Sequence, residues 1–219
     1  MQIHADHTER VVLDTATLSW QPSPGAGVDR RMLERHGTEK GRAISVVRYA
    51  AGTRFPQHVH PGGEEILVLE GTFADEWGKY PQGTWLQNPP GSSHTPYSPD
   101  GCILLVRLCF AGAGEIERRV VETRSAAWYP GMAEGLSVLP LMDAGGVHAA
   151  LVRWEPGSRF PAHRHHGGEE IYVLAGTFED EWGRYPHGTW MRSPHLSSHE
   201  PSSLSGCTLY VRTGHLDLP

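Results

Sequence analysis

The chain has 219 residues, 38% of them hydrophobic, and a formal net charge of −6. That length suits one or two domains with ordinary cores, and the negative balance, without any Lys/Arg run, argues against a nucleic-acid partner. No stretch approaches membrane-spanning length, and the polar start from Met1 to Asp14 lacks the apolar run of a secretion signal, so a non-membrane, cytoplasmic protein is expected.

Taken in chain order, the first element is Arg10-Val11-Val12, an edge-strand pattern. A weak helical period at residues 29–33 supports no helix. Residues 44–49, 66–69 and 103–106 are short apolar, β-branched runs bounded by Gly and Pro, and they read as strands. Between them, Asp75-Glu76-Trp77-Gly78-Lys79-Tyr80 reads as a hairpin tip, with Asp75 and Glu76 as exposed turn carboxylates. Ala111-Gly112-Ala113-Gly114 reads as a small-residue linker, followed by a second edge strand at Arg119-Val120-Val121. Runs at 149–154, 171–174 and 209–211 repeat the strand pattern. Many short strands at regular spacing indicate an all-β sandwich or barrel. The three cysteines, Cys102, Cys109 and Cys207, are an odd set without close pairs. They make no disulfide framework, and Cys102 and Cys207 read as small buried residues.

The second half repeats the first. Residues 48–107 align with 153–212 without a gap, and 37 of the 60 pairs are identical, so the segment is duplicated. Upstream, Trp20 matches Trp128, and Arg10-Val11-Val12 matches Arg119-Val120-Val121 at slightly different offsets. Each unit therefore begins near its Arg-Val-Val segment, and the domains are placed at 1–112 and 113–219.

The duplicated segment carries His58, His60, Glu64 and His94, and again His163, His165, Glu169 and His199. On a strand, residues two apart project from one face, so His58 and His60 can meet one ion. Pro61-Gly62-Gly63 lets the chain curl, Glu64 opens the next strand, and His94 closes the set after a Pro-Pro-Gly turn. Three imidazoles and a carboxylate suit a divalent transition metal better than Mg or Ca, and two sites per chain are expected. Glu65 and Glu170 should face the opposite way. His166, His187 and His195 read as exposed loop residues, and Trp85, Trp190, Tyr80 and Tyr185 as packing residues. Ile66, Val68, Ile171 and Val173 should form apolar chamber walls beside the metals. Leu196, standing where the first half has Gly91, should weaken the second site.

The spacings Gly52-x5-His58-x-His60-x3-Glu64-x6-Gly71 and Gly83-x5-Pro89-x-Gly91-x2-His94 resemble the two motifs of the cupin superfamily. They recur as Gly157-x5-His163-x-His165-x3-Glu169-x6-Gly176 and Gly188-x5-Pro194-x-Leu196-x2-His199. The finer text, including Gly-Gly-Glu-Glu-Ile-x-Val-Leu-x-Gly-Thr-Phe and Ser-Ser-His-x-Pro, resembles the ChrR type of cupin. That resemblance implies a bicupin of two tandem double-stranded β-helix (jelly-roll) barrels, with the eight residues above as ligands. It also implies zinc first, with iron, nickel or manganese as alternatives. ChrR-type cupins form the zinc-binding domain of anti-sigma factors in stress responses, and the subgroup includes cupins similar to acetylacetone-cleaving dioxygenases. The regulators hold their sigma factor with an N-terminal helical domain bearing its own His/Cys zinc site. Here about ten residues precede the first Arg-Val-Val and no Cys precedes Cys102, so sigma-factor binding is not expected. The leading expectation is a metal-binding regulatory bicupin. The alternative is a metal-dependent dioxygenase acting on a small dicarbonyl or aromatic ketone in the barrel.

Overall fold

The computed structural model describes residues 1–38, 41–110 and 117–216. Among them the only helical segment is the 3-10 turn Thr15–Thr17, and everything else ordered is β-structure. The chain forms two compact units. One comprises Met1–Ala5 with Leu18–Ala126, and the other Asp6–Thr17 with Ala127–Pro219.

In the first unit the main sheet runs, from edge to edge, Gln2–Ile3, Val28–His36, Ala43–Tyr49, Cys102–Leu108, Glu64–Asp75, Thr84–Asn88 and Arg119–Glu122. Every pairing along this path is antiparallel. A small second sheet pairs His58–His60 with Ser92–His94. The second unit repeats the plan, from Tyr129–Pro130 through Leu136–Ala144, Val147–Trp154, Cys207–Thr213, Glu169–Asp180 and Thr189–Ser193 to Val11–Asp14. Its small sheet pairs His163–Arg164 with Ser198–His199. The main sheets are open at both ends of this order rather than closed by hydrogen bonds.

Glu64–Asp75 shows how sequence becomes site. Ile66 and Val68, two apart, point into a core shared with Val28, Phe73, Leu86, Leu104 and Val106. Each fully buried aliphatic or Phe side chain contributes roughly 1.5–3 kcal/mol. Glu65 and Leu67 face the other way, where fully buried Trp85 donates its Nε1–H to Glu65 Oε1 at 3.0 Å. Glu170 and Trp190 repeat the bond at 3.0 Å. At Gly71 the backbone turns left-handed, and an added Cβ would stand 2.2 Å from the Gly101 carbonyl oxygen, so only glycine fits.

The two compact units differ from the expected domain limits, 1–112 and 113–219, by one edge strand each. Arg119–Glu122 pairs with Thr84–Asn88 and completes the first unit. Val11–Asp14 pairs with Thr189–Ser193 and completes the second. Each repeat thus supplies the other unit's edge strand. An edge strand carries little register information of its own and takes whichever partner edge the fold presents, so the repeat pattern could not assign it. The register also corrects the upstream alignment. Val11 lies opposite Arg192 and Arg119 opposite Gln87, so Arg10 is equivalent to Arg118, and one offset holds from there through Trp20 and Trp128. The linker expected at 111–114 lies outside the described residues. The weakly helical residues 29–33 fall within the strand Val28–His36.

Candidate metal centres

His58 and His60 project from one short strand and His94 from its antiparallel partner, where His58 and His94 stand directly opposite. Glu64 begins the long strand after the Pro61-Gly62-Gly63 turn. The ligating atoms of these four residues all lie within 4.8 Å of one another, and so do those of His163, His165, Glu169 and His199. All eight expected residues are therefore gathered into two clusters that could each hold an ion. His60, Glu64, His94, His165, Glu169 and His199 are buried, while His58 and His163 sit half-buried at the rim.

The donor atoms fit a cation. His60 Nε2 and His94 Nε2 approach to 3.1 Å, and both lie near Glu64 Oε2, at 3.4 and 3.5 Å. In the second cluster His163 Nε2 and His165 Nε2 are 3.1 Å apart, and Glu169 Oε2 is 3.5 and 3.6 Å from His165 and His199 Nε2. Neutral imidazole nitrogens packed this closely repel through their lone pairs unless a proton or cation sits among them. His199 Nε2 is also buried with no hydrogen-bond partner among the described residues, as suits a nitrogen that can serve as a metal ligand.

In five of the six histidines the Nδ1 nitrogen faces another polar group, which aims Nε2 inward. His58 Nδ1 lies 2.9 Å from the Pro56 carbonyl, and His163 Nδ1 lies 3.0 Å from that of Pro161. Both carbonyls accept, which fixes the tautomer. His165 Nδ1 meets the Ser197 hydroxyl at 3.0 Å. His94 Nδ1 lies 3.4 Å from Asp75 Oδ2, and His199 Nδ1 lies 3.8 Å from Asp180 Oδ2. Metal-bound histidines commonly lean on a carboxylate in this way, which orients the ring and raises its basicity.

Asp75 is thus not the exposed turn carboxylate that the sequence suggested. It is 4% exposed, and its Oδ1 accepts from Trp77 N at 2.8 Å, Gly78 N at 3.1 Å and the Tyr80 hydroxyl at 2.8 Å. The hairpin folds its first residue inward, because one carboxylate closes the turn and braces the histidine together. Glu76 is exposed, but it accepts from Thr95 N at 2.9 Å, fixing the residue after His94. Tyr80 accepts from Arg118 Nη2 at 2.6 Å, and in the second unit Tyr185 accepts from Arg10 Nη2 at 2.8 Å. Sequence reading missed this chain of Arg, Tyr and Asp. The recurrence of Asp-Glu-Trp-Gly-x-Tyr was its available signal, while the arginines come from the exchanged strands.

Burial dominates the electrostatics. It pushes His60 and His163 below the ordinary imidazole value, and it pushes His165 down to about 3, helped by His199 and His163. Burial raises Glu169 to about 6. For His94 burial acts downward, but the hydrogen bond to Asp75 and the charge of Glu64 outweigh it, and the net shift is upward. Burial also lifts the Cys102 and Cys207 thiols to about 11, as suits buried free cysteines.

A cavity of about 360 Å³ in the first unit reaches all four cluster residues and is walled by Ile66, Phe73, Leu104 and Val106. A second, of about 270 Å³, reaches His163, Glu169 and His199 between Ile171, Trp154 and Phe178. Ile66 and Ile171 line the chambers as expected, whereas Val68 and Val173 lie in the surrounding cores. His166 and His187 are exposed, and half-buried His195 accepts from Gly167 N at 2.9 Å. Trp85 and Trp190 are fully buried packing residues. No helix among the described residues is long and apolar enough to cross a membrane.

Two jelly-roll units, each gathering three imidazoles and one carboxylate at its interior, define a bicupin. The chain belongs to the ChrR cupin-like domain family, which matches residues 8–109 and again 116–217. Among solved structures it resembles a Nostoc punctiforme protein described as a candidate dioxygenase, with a TM-score of 0.78 and 16% identity over 94% of this chain and 82% of that one. It also resembles a Pseudomonas aeruginosa protein described as a candidate glyoxylate-induced protein, with a TM-score of 0.75 and 15% identity over 96% of this chain and 91% of that one. A nickel(II) complex of the bacterial pirin YhhW from Escherichia coli matches with a TM-score of 0.68 and 17% identity over 95% and 100%. At these identities the likeness shows the fold alone. A comparison with curated protein sequences finds no match.

Proposed function

We propose that the protein is a metal-dependent enzyme that oxidises a small dicarbonyl or aromatic ketone in the chamber of its first unit. His58, His60, Glu64 and His94 would be the ligands there, and His163, His165, Glu169 and His199 those of a second site. The observation that carries this reading is the cavity of about 360 Å³ that opens onto all four residues of the first cluster. A structural zinc site is closed, whereas a catalytic one keeps positions open toward a pocket. An ion such as Fe(II), held by four protein ligands, would supply up to two further positions for oxygen and substrate.

The chain's own groups would do the rest. Apolar walls exclude water and bind the carbon skeleton. Asp75 holds His94 in its tautomer. Asn88 Nδ2 donates to Glu64 Oε2 at 3.1 Å, steadying the carboxylate. The test loads metal-free protein with Fe(II) and offers neutral and acidic dicarbonyl compounds and hydroxyacetophenones under oxygen. Metal-dependent oxygen uptake that disappears in Glu64→Ala supports the proposal, and no turnover with any loaded metal sinks it.

A second reading, a zinc-holding regulatory protein of the anti-sigma type, is favoured by the ChrR family match. It requires zinc in protein purified without added metal and a protein partner that releases when the zinc is removed. A cytoplasmic location is part of both readings, and buried thiols without disulfides support it.

A further inference from the structure

Alternate residues of one strand face the first chamber. Ala43, Ser45, Val47 and Tyr49 all line it, as the two-residue period of a strand requires. Tyr49 ends that row, opposite Val28 on one neighbouring strand and Cys102 on the other. It is 7% exposed, and its ring packs at a steep angle to Phe73, 6.0 Å between centroids. Phe73 in turn lies 6.0 Å from the ring of His94. Burial first, and then the negative charge of Glu64, hold the Tyr49 proton well above the ordinary phenol range, and no hydrogen bond from the described residues acts on the hydroxyl. The group is thus a neutral O–H donor in the wall of a chamber that reaches the metal cluster.

The second unit places Trp154 at the equivalent point, opposite Leu136 and Cys207. Trp154 lines the second chamber and packs at a steep angle to Phe178, 5.8 Å between centroids. Its Nε1–H is buried with no hydrogen-bond partner among the described residues. Buried Tyr and Trp ordinarily find a partner for their polar tip, and leaving a buried donor unmade costs roughly 1–3 kcal/mol. A phenylalanine would fill either core without that cost. The two rings differ in size and shape, and what they share is an aromatic body with one X–H donor. The donor is therefore the feature that both chambers keep, and its complement is an acceptor atom on a ligand.

We infer that Tyr49 is a substrate-binding residue of the first chamber, whose hydroxyl donates a hydrogen bond to the carbonyl oxygen of a small ketone held beside the metal cluster. The inference rests on the proposed chamber for a carbonyl compound, and it adds the group that recognises the oxygen. Apolar walls take the carbon skeleton, while a hydrocarbon of the same shape leaves the donor unpaired.

Calorimetric titration of the zinc-loaded full chain tests this without requiring turnover. The probes are acetophenone and 2-phenylpropene, in which a methylene group replaces the carbonyl oxygen. Acetophenone should bind the more tightly. Tyr49→Phe should lose about tenfold in affinity for acetophenone and nothing for 2-phenylpropene. The infrared carbonyl band of bound, isotope-labelled acetophenone should move to higher frequency in Tyr49→Phe, because a hydrogen bond lowers that stretch and a packing change alone does not. Repeating both measurements with Trp154→Phe leaves Tyr49 as the only donor of this pair and assigns the effect to the first chamber. Unchanged zinc content and melting temperature separate it from misfolding. No binding of acetophenone, equal affinity for the two probes, no loss in Tyr49→Phe, or a loss without the band shift would each overturn the inference. Tyr49-dependent binding without oxygen uptake under Fe(II) would retain it and remove the oxidising enzyme. Metal-dependent oxygen uptake undiminished in Tyr49→Phe would do the reverse.

Discussion

The guanidinium of Arg10 lies 2.8 Å from the Tyr185 hydroxyl, 175 positions away in the chain. The same side chain reaches Asp180 Oδ2 at 2.9 Å, and Asp180 faces His199. An arginine from the first repeat thus braces the histidine of the second cluster, and Arg118 of the second repeat does the corresponding work through Tyr80 for the first.

Arg10→Ala should therefore weaken the second metal site while leaving the first unchanged, and Arg118→Ala should do the opposite. Loss of an outer hydrogen-bonding partner costs about 10–100-fold in metal affinity. Competition against a chromophoric chelator, with the other site removed by substitution, reads each affinity. Loss at the site within the mutated repeat's own sequence would contradict the exchange of edge strands.

Metal content should approach two ions per chain. Replacing His58 and His60 together by Ala should remove one and leave the other, since each cluster is built within one unit. Elemental analysis of purified protein measures both. No metal in fresh protein, or an unchanged count in the double variant, would refute the ligand assignment.

Leu196 adopts φ 61°, the left-handed conformation that Gly91 adopts at φ 81° in the first unit. A non-glycine residue there costs roughly 1–2 kcal/mol, and the side chain is 46% exposed, so little burial offsets the strain. Leu196→Gly should stabilise the second unit by about 0.5–1 kcal/mol, after the entropy glycine adds to the unfolded chain. Gly91→Leu should destabilise the first. Urea unfolding midpoints of the metal-free variants provide the comparison, and a destabilised Leu196→Gly would show that the strain is relieved elsewhere.

Acid should destabilise the metal-free protein. His165 stays neutral in the folded state down to about 3, whereas the unfolded chain takes up that proton near 6.5. Its contribution is present above 6.5 and lost as pH falls toward 3, and His60 and His163 shift in the same direction. Glu169, raised to about 6, acts oppositely. Its contribution is present below its unfolded value and lost as pH rises through 6. His94, raised in the folded state, acts in the same direction as Glu169, so three lowered histidines stand against two raised groups, and stability should fall between pH 7 and pH 4. Denaturant midpoints across that range, in chelator-treated protein, would expose the reverse trend if it exists.

The repeat, the strand-rich character and the eight clustered residues were legible in the sequence because they depend on local spacing. His58 and His60 share a face through the two-residue period of a strand, and a duplication without gaps carries that geometry twice. The glycine replaced by Leu196 was legible for the same reason, since φ is a property of one residue. Only the tertiary structure decided which edge Val11–Asp14 and Arg119–Glu122 complete, because an edge strand's partner is set by the sheet it meets. It alone turned Asp75 from a surface turn residue into a buried brace, since a hairpin's position against His94 is a long-range fact. It also set Tyr49 in one chamber and Trp154 in the other. The sequence shows that substitution, but a side chain's facing depends on register, and register is fixed only when the sheets assemble around their cores.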